Sequence, residues 1–350
     1  MINKEFGSDF HYVLSEKWRD IDTADSYLNK KGFSFHFSGR SALYSILKTG
    51  IDEYEWKKIV VPSYYCHEVY HFIASLPITI EYYNITPLEE TIISLKNGDD
   101  DGQTAVLIVD YFGISKLNYN HIKNASIIED LTHNLAEIKN SKAHFCFGSL
   151  RKVLPLPVGG FCYSPKKLKL SSPDKNIIAE SVAIEKFTGM YLKALYLKNQ
   201  FNNKDIFRSL YTNSENDFEL VSTNSQLPKI VFEYLKTLRI EKIILQKKEN
   251  LRLAKKLLKP NKIFSVMNIN DDSEFALTLK FKETTKRDLL RIFLIEEKIY
   301  PIILWPNQWL KKNKEFEDSI LFIHIDFRYN DFEIKYIVSK INQYIVNAHI

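Results

Sequence analysis

Features that mark several common protein classes are scarce in this sequence. The 350 residues include only three cysteines, all in apolar or strand-like contexts, which indicates reduced thiols rather than a disulfide framework or a zinc site. No uncharged apolar run approaches the roughly 18 residues that a membrane-spanning helix needs. Residues 1–6 contain no apolar core of signal-peptide length, so we expect a cytoplasmic protein with no membrane partner.

An excess of one charge is also missing. The net charge of +5 is small for this length, and the lysines are scattered among carboxylates, as at 236–256. A nucleic-acid-binding face requires clustered cations, so we expect a solvated surface and no nucleic-acid partner. The acidic cluster at 99–101 lacks a fourth ligand at a suitable spacing, so we expect no metal site there.

Glycine is scarce as well, with 11 residues, so the position of each glycine is informative. Short apolar runs alternate with helical patterns over the first half of the chain. Buried parallel strands have this continuous apolar character because helices cover both faces of their sheet. The runs lie at 58–61, 78–83, 104–110, 126–130, 144–147 and 160–163. We therefore predict an α/β fold with a mostly parallel sheet between helices.

The second half of the chain has a different pattern. Residues 175–225 are helical and aromatic, with loops predicted at 202–203 and 213–216, and a long amphipathic helix is predicted over 229–258. Strands at 275–281 and 320–326 then alternate with helices at 284–297 and 331–348. We predict an N-terminal arm at 1–30, a large domain at 31–225 and a smaller α+β domain at 226–350.

Polar residues follow several of the apolar runs, at the sheet edge where open α/β sheets bind ligands. Lys152 follows one run, with Ser149 three residues earlier, and Asp130 ends another run. The turn 39–41, Gly-Arg-Ser, opens a helical pattern. A glycine at a helix start lets backbone N–H groups approach a phosphate, which the helix dipole also favours.

These residue types match the requirements of pyridoxal phosphate (PLP). That cofactor needs a lysine for a Schiff base, a carboxylate at its pyridine nitrogen, donors for its phosphate and an aromatic or imidazole ring on its face. Lys152, Asp130, the turn at 39–41, and Tyr65 or His67 supply each of them. We therefore predict a PLP site with no metal.

Simpler interpretations exist for each residue. A lysine after a strand is usually a surface residue, and Asp130 could cap the following helix. Tyr65 could be a core aromatic. A hydrolase triad of Ser63, Asp130 and His133 can also be assembled, but no G-x-S-x-G elbow supports it.

The motifs resemble those of one known family. They are Ser-Gly-Arg-Ser-Ala-Leu at 38–43, Val-Pro-Ser-Tyr at 61–64, Tyr-Phe-Gly at 111–113, Ile-Glu-Asp-Leu-Thr-His at 128–133, and Ser-Leu-Arg-Lys at 149–152 with the glycine pair at 159–160. Their order is similar to that in the DegT/DnrJ/StrS sugar aminotransferases, which are fold-type-I PLP enzymes. The resemblance covers roughly residues 35–165.

The resemblance implies roles for individual residues. Lys152 would be the Schiff-base lysine and the general acid and base, Asp130 would pair with the pyridinium nitrogen, and His133 would lie near the ring hydroxyl. Gly39, Arg40, Ser41 and Ser149 would hold the phosphate, and Tyr65 or His67 would stack on the ring.

The resemblance also implies a partner and a reaction. Asn224 would reach the phosphate of a second subunit, which predicts a homodimer with the active site at its interface. The reaction would transfer an amino group from an amino acid, with glutamate expected, to a keto-sugar that is expected to be nucleotide-linked. Arg328 and Trp305 are candidate substrate contacts.

Two alternatives remain open for the function. A PLP-dependent sugar dehydratase or another lyase is one, although related dehydratases replace the lysine with histidine and Lys152 is present here. A scaffold protein that has kept the fold but lost turnover is the other. The intact pair of Lys152 and Asp130 disfavours the scaffold.

Overall fold

The structure of the chain, a computed structural model, describes residues 4–7, 9–20, 28, 32–89, 92–115, 117–221, 223–267 and 273–347. The predicted arm at 1–30 is therefore described only in part, because residues 1–3, 8, 21–27 and 29–30 lie outside these ranges. Its described part includes a short 3-10 helix, Glu16–Trp18, in which Trp18 is buried.

Seven strands form one mixed sheet, in the spatial order β1-β7-β6-β5-β4-β2-β3. The strands are β1 (Phe33–His36), β2 (Lys58–Pro62), β3 (Thr79–Tyr83), β4 (Thr104–Val109), β5 (Ser126–Asp130), β6 (Phe145–Ser149) and β7 (Gly160–Tyr163). Strands β2 to β6 run parallel to one another, β7 pairs antiparallel with β6, and β1 pairs antiparallel with β7 at the edge of the sheet. Every residue of β4 is buried, as in a strand covered on both faces. The predicted mostly parallel sheet is confirmed.

Within the described residues, six helices surround or follow this sheet, and the chain then forms a smaller α+β unit. The helices are α1 (Gly39–Tyr54), α2 (His67–Ile73), α3 (Ile177–Leu197), α4 (Lys204–Phe218), α5 (Lys229–Thr237) and α6 (Ile240–Leu257). The smaller unit contains β8 (Phe264–Val266), β9 (Leu277–Phe281), α7 (Thr284–Glu296), α8 (Lys311–Ser319), β10 (Ile320–Ile323) and α9 (Asp331–Asn347). Its three strands form an antiparallel sheet in the order β10-β9-β8.

Two large hydrophobic cores correspond to the two sheets. The first contains Leu107 and Ile128 from the seven-stranded sheet, and the second contains Leu279 and Ile341 from the smaller unit. Helix α6 contributes to both cores, because its first half packs in the first and its second half in the second. The predicted boundary between residues 225 and 226 stays a prediction.

The long helix predicted over 229–258 is wrong, because the chain breaks into α5 and α6 at Leu238 and Arg239. Leu238 is extended (φ −78°, ψ 131°) and fully buried. It forms a β-bridge with Arg19, and the N–H of Arg239 donates to the carbonyl of Trp18 at 3.0 Å. The N-terminal segment therefore supplies the contacts that compete with a continuous helix.

The loop predicted at 213–216 is also wrong, because α4 continues through these residues. Ser214 is fully buried and its hydroxyl donates to the carbonyl of Tyr211 at 2.9 Å, a bond within the helix. A serine that bonds back to the preceding turn is compatible with a helix interior, which its composition alone does not reveal.

Gly160 occupies the closest approach between β7 and the start of α1. A Cβ at this position would lie 2.2 Å from the carbonyl oxygen of Ser38 and 2.5 Å from the N of Gly39. Both neighbours are backbone atoms, so no side chain can move aside to relieve the overlap. The absence of a side chain at Gly160 thus lets the N-terminus of α1 pack directly on the sheet.

We expect Gly160→Ala to lower the free energy of unfolding by about 1–3 kcal/mol, the usual cost of overpacking. Urea denaturation monitored by circular dichroism measures this change. Gly102→Ala is the control, since nothing lies within 4 Å of its Cβ position, and its stability should change by less than about 0.5 kcal/mol. Equal midpoints for the two variants would contradict the packing argument.

Candidate active site

The carboxyl ends of β5 and β6 meet the N-terminus of α1 at one cavity. Asp130 is the last residue of β5 and pairs in parallel register with Phe147 of β6. Lys152 ends the 3-10 turn Leu150–Lys152 that follows β6. Both side chains line a cavity of about 150 Å³, together with Gly39, which we name the aspartate cavity. The two principal predicted residues are therefore brought together.

The Asp130 carboxylate is held by two donors. One oxygen, Oδ1, accepts the backbone N–H of Thr132 at 2.9 Å, and the other, Oδ2, accepts the hydroxyl of Tyr65. Burial, followed by the charge of Asp130, raises the pKa of Tyr65, so this hydroxyl stays a donor. Each carboxylate oxygen has a second lone pair. Asp130 can therefore accept a further N–H from a ligand in the cavity.

Lys152 lies between two cavities. Its side chain is exposed to the two cavities and enclosed by the protein atoms around them. It lines the aspartate cavity and a second cavity of about 290 Å³, which also contains His133 and His324 and is named here the histidine cavity. Burial away from bulk water lowers the pKa of Lys152, and Arg151 adds to this effect. A lowered pKa increases the fraction of unprotonated amine, which is the nucleophilic form.

The start of α1 forms one wall of the aspartate cavity. Ser38 caps the helix, because its hydroxyl accepts the N–H of Ser41 at 3.0 Å. Gly39 packs against Ser149, whose N and Cβ would each lie 3.2 Å from a Cβ at Gly39. The hydroxyl of Ser41 faces Ser38 and does not line the cavity. Of the predicted phosphate ligands, Gly39, Arg40 and Ser149 line this cavity and Ser41 does not.

Two arginines add positive charge to the same wall. Arg40 forms a bidentate ion pair with Glu219, with N–O distances of 2.6 and 2.8 Å. Arg151 donates to Glu215 at 3.1 Å, and its guanidinium lies 4.4 Å from the ring centroid of Phe218. An anion in the cavity would therefore meet guanidinium groups that are already held in place.

Trp305 closes the opposite side of the aspartate cavity. Its ring packs edge-on against Tyr65 at 5.3 Å between centroids and lies 5.8 Å from His133 in stacked orientation. The indole Nε1 is buried and has no hydrogen-bond partner among the described residues. A buried N–H without an acceptor is uncommon in native proteins and indicates a place for a ligand acceptor or a water.

His133 and Arg328 line the histidine cavity rather than the aspartate cavity. Burial lowers the pKa of His133 well below its ordinary value, so its ring is neutral at pH 7, and its Nε2 has no partner in the described part of the chain. Arg328 is held by Asp326, with an N–O distance of 2.9 Å. Arg328, a predicted substrate contact, thus shares the histidine cavity with Lys152 and does not line the aspartate cavity.

Two predicted residues lie away from both cavities. The His67 ring packs edge-on against Tyr70 and Trp309, so Tyr65 is the aromatic residue of the predicted pair that reaches the cavity. Asn224 is buried and its Nδ2 donates to the carbonyl of Ser172 at 3.0 Å. Its predicted role toward a second subunit stays a prediction.

Sequence reasoning missed several residues that line the cavities. Thr132 lines the aspartate cavity, and its hydroxyl accepts the N–H of Ser149 at 3.0 Å. Its position two residues after Asp130 could have indicated this. Lys247 and His324 line the histidine cavity. Lys247 had no visible signal, because it is one of many lysines on an amphipathic helix.

The described residues offer neither a metal-binding cluster nor a membrane-spanning helix. No group of three or more histidine, cysteine or carboxylate side chains among the described residues could hold a metal ion. In the same part of the chain, no helix is both long enough and apolar enough to cross a membrane.

Comparisons with known proteins agree at the level of structure. No family model and no curated relative matches the sequence. Among solved structures, Helicobacter pylori PseC, an aminotransferase of pseudoaminic acid biosynthesis, matches with a TM-score of 0.59 and 13% identity, over 98% of this chain and 100% of its own. A DegT DnrJ EryC1 StrS aminotransferase from Brucella abortus has a TM-score of 0.58 and 16% identity, over 91% of this chain and 87% of its own.

A dehydratase has the same fold. The E. coli GDP-4-keto-6-deoxy-D-mannose-3-dehydratase with bound hydrated PLP matches with a TM-score of 0.59 and 10% identity, over 96% of this chain and 100% of its own. Identities this low establish the architecture and leave the reaction open. The chain has the fold-type-I α/β fold of the DegT/DnrJ/EryC1/StrS aminotransferases, as its motifs predicted.

Proposed function

We propose that the chain is a PLP-dependent aminotransferase. It would transfer an amino group from an amino acid, with glutamate as the expected donor, to a keto-sugar that is expected to be nucleotide-linked. The observation that carries this proposal is the convergence of Lys152, Asp130 and the N-terminus of α1 on one cavity. A lysine nucleophile, a buried carboxylate and an anion-binding helix start are the groups that PLP requires together.

The residues of the aspartate cavity fit this cofactor. The free lone pairs of Asp130 can accept the pyridinium N–H, and the N–H groups at Gly39 and Arg40 with the hydroxyl of Ser149 can hold the phosphate. Trp305 also lines this cavity, and its indole Nε1 is a buried hydrogen-bond donor with no acceptor among the described residues. Bound there, PLP would supply a carbonyl for the substrate amine and an electron-withdrawing ring.

The protein groups would bind, orient and move protons. Lys152 would hold the cofactor, and its amine could accept or donate a proton at the substrate carbon, because its side chain lines both cavities. Asp130 keeps positive charge at the ring nitrogen favourable. Trp305 and Tyr65 exclude water from this wall, which strengthens electrostatic interactions inside the cavity.

A dehydratase or other lyase remains the second candidate, and the E. coli dehydratase with the same fold is the observation that favours it. The lysine at position 152 supports the aminotransferase, since related dehydratases are expected to have histidine there. An inactive scaffold is a third candidate. The single-turnover reaction with glutamate distinguishes it from an aminotransferase, because a scaffold forms no 2-oxoglutarate. The homodimer, the contribution of Asn224 to a second subunit and a cytoplasmic location belong to the proposal and rest on the sequence resemblance.

Lys152 is expected to be the site of covalent PLP attachment. After incubation of the purified protein with PLP and reduction with borohydride, peptide mass spectrometry should locate the added mass on Lys152, because burial lowers the pKa of this amine. The Lys152→Ala variant should lose this label. Lys175→Ala, which removes an exposed lysine, should keep it. If Lys152→Ala is still labelled at another residue of the cavity, that residue and not Lys152 is the attachment site.

Asp130→Asn should separate cofactor attachment from chemistry. The variant should still attach PLP to Lys152, since the lysine is unchanged. Its single-turnover rate with glutamate, measured as 2-oxoglutarate formed, should fall on the order of 10²-fold, the usual effect of removing one preorganised electrostatic group. The wild-type protein must form 2-oxoglutarate in this experiment. If the wild-type protein binds PLP but forms no 2-oxoglutarate, the aminotransferase proposal is wrong, and the lyase and the inactive scaffold remain.

A further inference from the structure

The histidine cavity is rich in cations, and most of them are already paired. Arg151 and Lys186 both contact Glu215, and Arg328 pairs with Asp326. Lys152 is assigned to the cofactor by the proposal above. These assignments account for four of the five cationic side chains that line the cavity and leave Lys247.

Lys247 is a buried cation that the described part of the chain leaves unpaired. It lies on α6 with 4% of its surface exposed, and it forms no hydrogen bond or ion pair with any described residue. Glu274 and Asp326 are the carboxylates whose charges act on it. Asp326 is occupied by Arg328. Glu274 accepts the N–H of Leu135 at 2.9 Å through Oε1, while its Oε2 is buried and has no hydrogen-bond partner among the described residues, so it does not bond to Lys247 either.

Leaving an ammonium group buried without a partner is costly, and natural proteins tolerate the cost mainly where the charge has a function. Burial lowers the pKa of Lys247, and an anion entering the cavity would reverse that effect by favouring the charged form. The same cavity contains Lys152, so an anion held by Lys247 would belong to a molecule that also reaches the reactive amine.

We propose that Lys247 is a specificity-determining residue that receives a carboxylate or phosphate group of the substrate in the histidine cavity. The inference rests on the proposed aminotransferase function and names the chemistry its substrate must carry. The volume of about 290 Å³ lies near the lower end of the range for small-molecule sites, about 300–1,000 Å³. It suits a molecule of the size of an amino acid or a monosaccharide.

Two neutral imidazoles complete the cavity around this anion site. Burial lowers the pKa of His324 to about 4, and it lowers the pKa of His133 as well, so neither ring competes with Lys247 as a cation at pH 7. The unpartnered Nε2 of His133 can exchange a hydrogen bond with a hydroxyl or carbonyl of the substrate. Charge recognition is thereby assigned to Lys247 and polar recognition to the histidines.

Binding of two unreactive anions to the purified full chain tests this assignment. Glutarate represents the carboxylates of an amino-acid donor, and inorganic phosphate represents a phosphorylated acceptor. Isothermal titration calorimetry should detect binding of at least one probe to the wild type. Lys247→Met should bind that probe roughly 10- to 100-fold more weakly, the effect of losing one charged hydrogen bond. Lys247→Arg keeps the charge and should retain binding.

Lys242→Met is the matched control, because it removes an exposed lysine from the same helix, and it should bind like the wild type. Only affinity that Lys247→Met weakens is assigned to this site, because phosphate can also bind at Gly39 and Arg40 in the aspartate cavity. Weakened glutarate binding alone would assign the site to the donor carboxylate, and weakened phosphate binding alone would assign it to a phosphorylated acceptor. Binding of neither probe to the wild type, or equal binding by Lys247→Met, would overturn the inference.

Thermal unfolding distinguishes recognition from a structural role. Replacing an unpaired buried ammonium by an apolar side chain of similar length is expected to leave the Tm unchanged or to raise it. A lower Tm with undiminished probe binding would assign Lys247 to the fold and overturn the inference. Since neither measurement requires bound PLP or turnover, its failure is distinguishable from failure of the aminotransferase proposal, which the Lys152 labelling experiment tests separately.

Discussion

The close packing of the α1 N-terminus against β6 and β7 is the constraint on which the aspartate cavity depends. Gly160 allows the backbone at Ser38 and Gly39 to lie directly on the sheet, and Gly39 in turn packs against Ser149. A side chain at either glycine would push the helix start away from the strand ends. The same contacts bring the N–H groups of the helix start to the cavity that Asp130 and Lys152 line. Backbone packing and the proposed anion binding therefore depend on one steric condition.

Some of the buried polar groups without a hydrogen-bond partner line the two cavities beside Lys152. The indole N–H of Trp305 and the Nε2 of His133 have no partner among the described residues, and Lys247 has no ion pair there. Each of these groups makes the fold less stable than an apolar side chain of similar size would. Stability lost at such positions is common where a site must bind a polar ligand. These three groups thus offer polar contacts inside the cavities, and the sequence motifs do not reveal that they lack partners.

The sequence predicted the strands at 126–130 and 160–163 with the bounds that the structure shows, because buried strands of this kind have continuous apolar runs. It also predicted the convergence of Asp130 and Lys152, since the carboxyl ends of adjacent parallel strands share an edge. It could not predict the break at Leu238, which depends on contacts with Arg19 and Trp18 more than 200 residues away. It also missed α8, whose sequence is mostly polar. Local sequence patterns were therefore sufficient to predict the large sheet. They were not sufficient to predict the break at Leu238, which depends on long-range contacts.

The same distinction explains why the histidine cavity was harder to predict than the aspartate cavity. The aspartate cavity is lined mainly by strand ends and by the start of α1. Each of these can be located in the sequence from a local pattern, either an apolar run or the motif at 38–43. The histidine cavity combines the N-terminal segment, through Gly7 and Phe10, with Lys247 from α6 and His324 from the region after β10. Phe6 pairs with Ile299 of the smaller unit, while the N–H of Tyr12 donates to Met190 of α3 at 3.0 Å. The residues proposed to contact the substrate thus come from segments that only the folded chain brings together, so substrate recognition could diverge while the proposed cofactor residues keep their order.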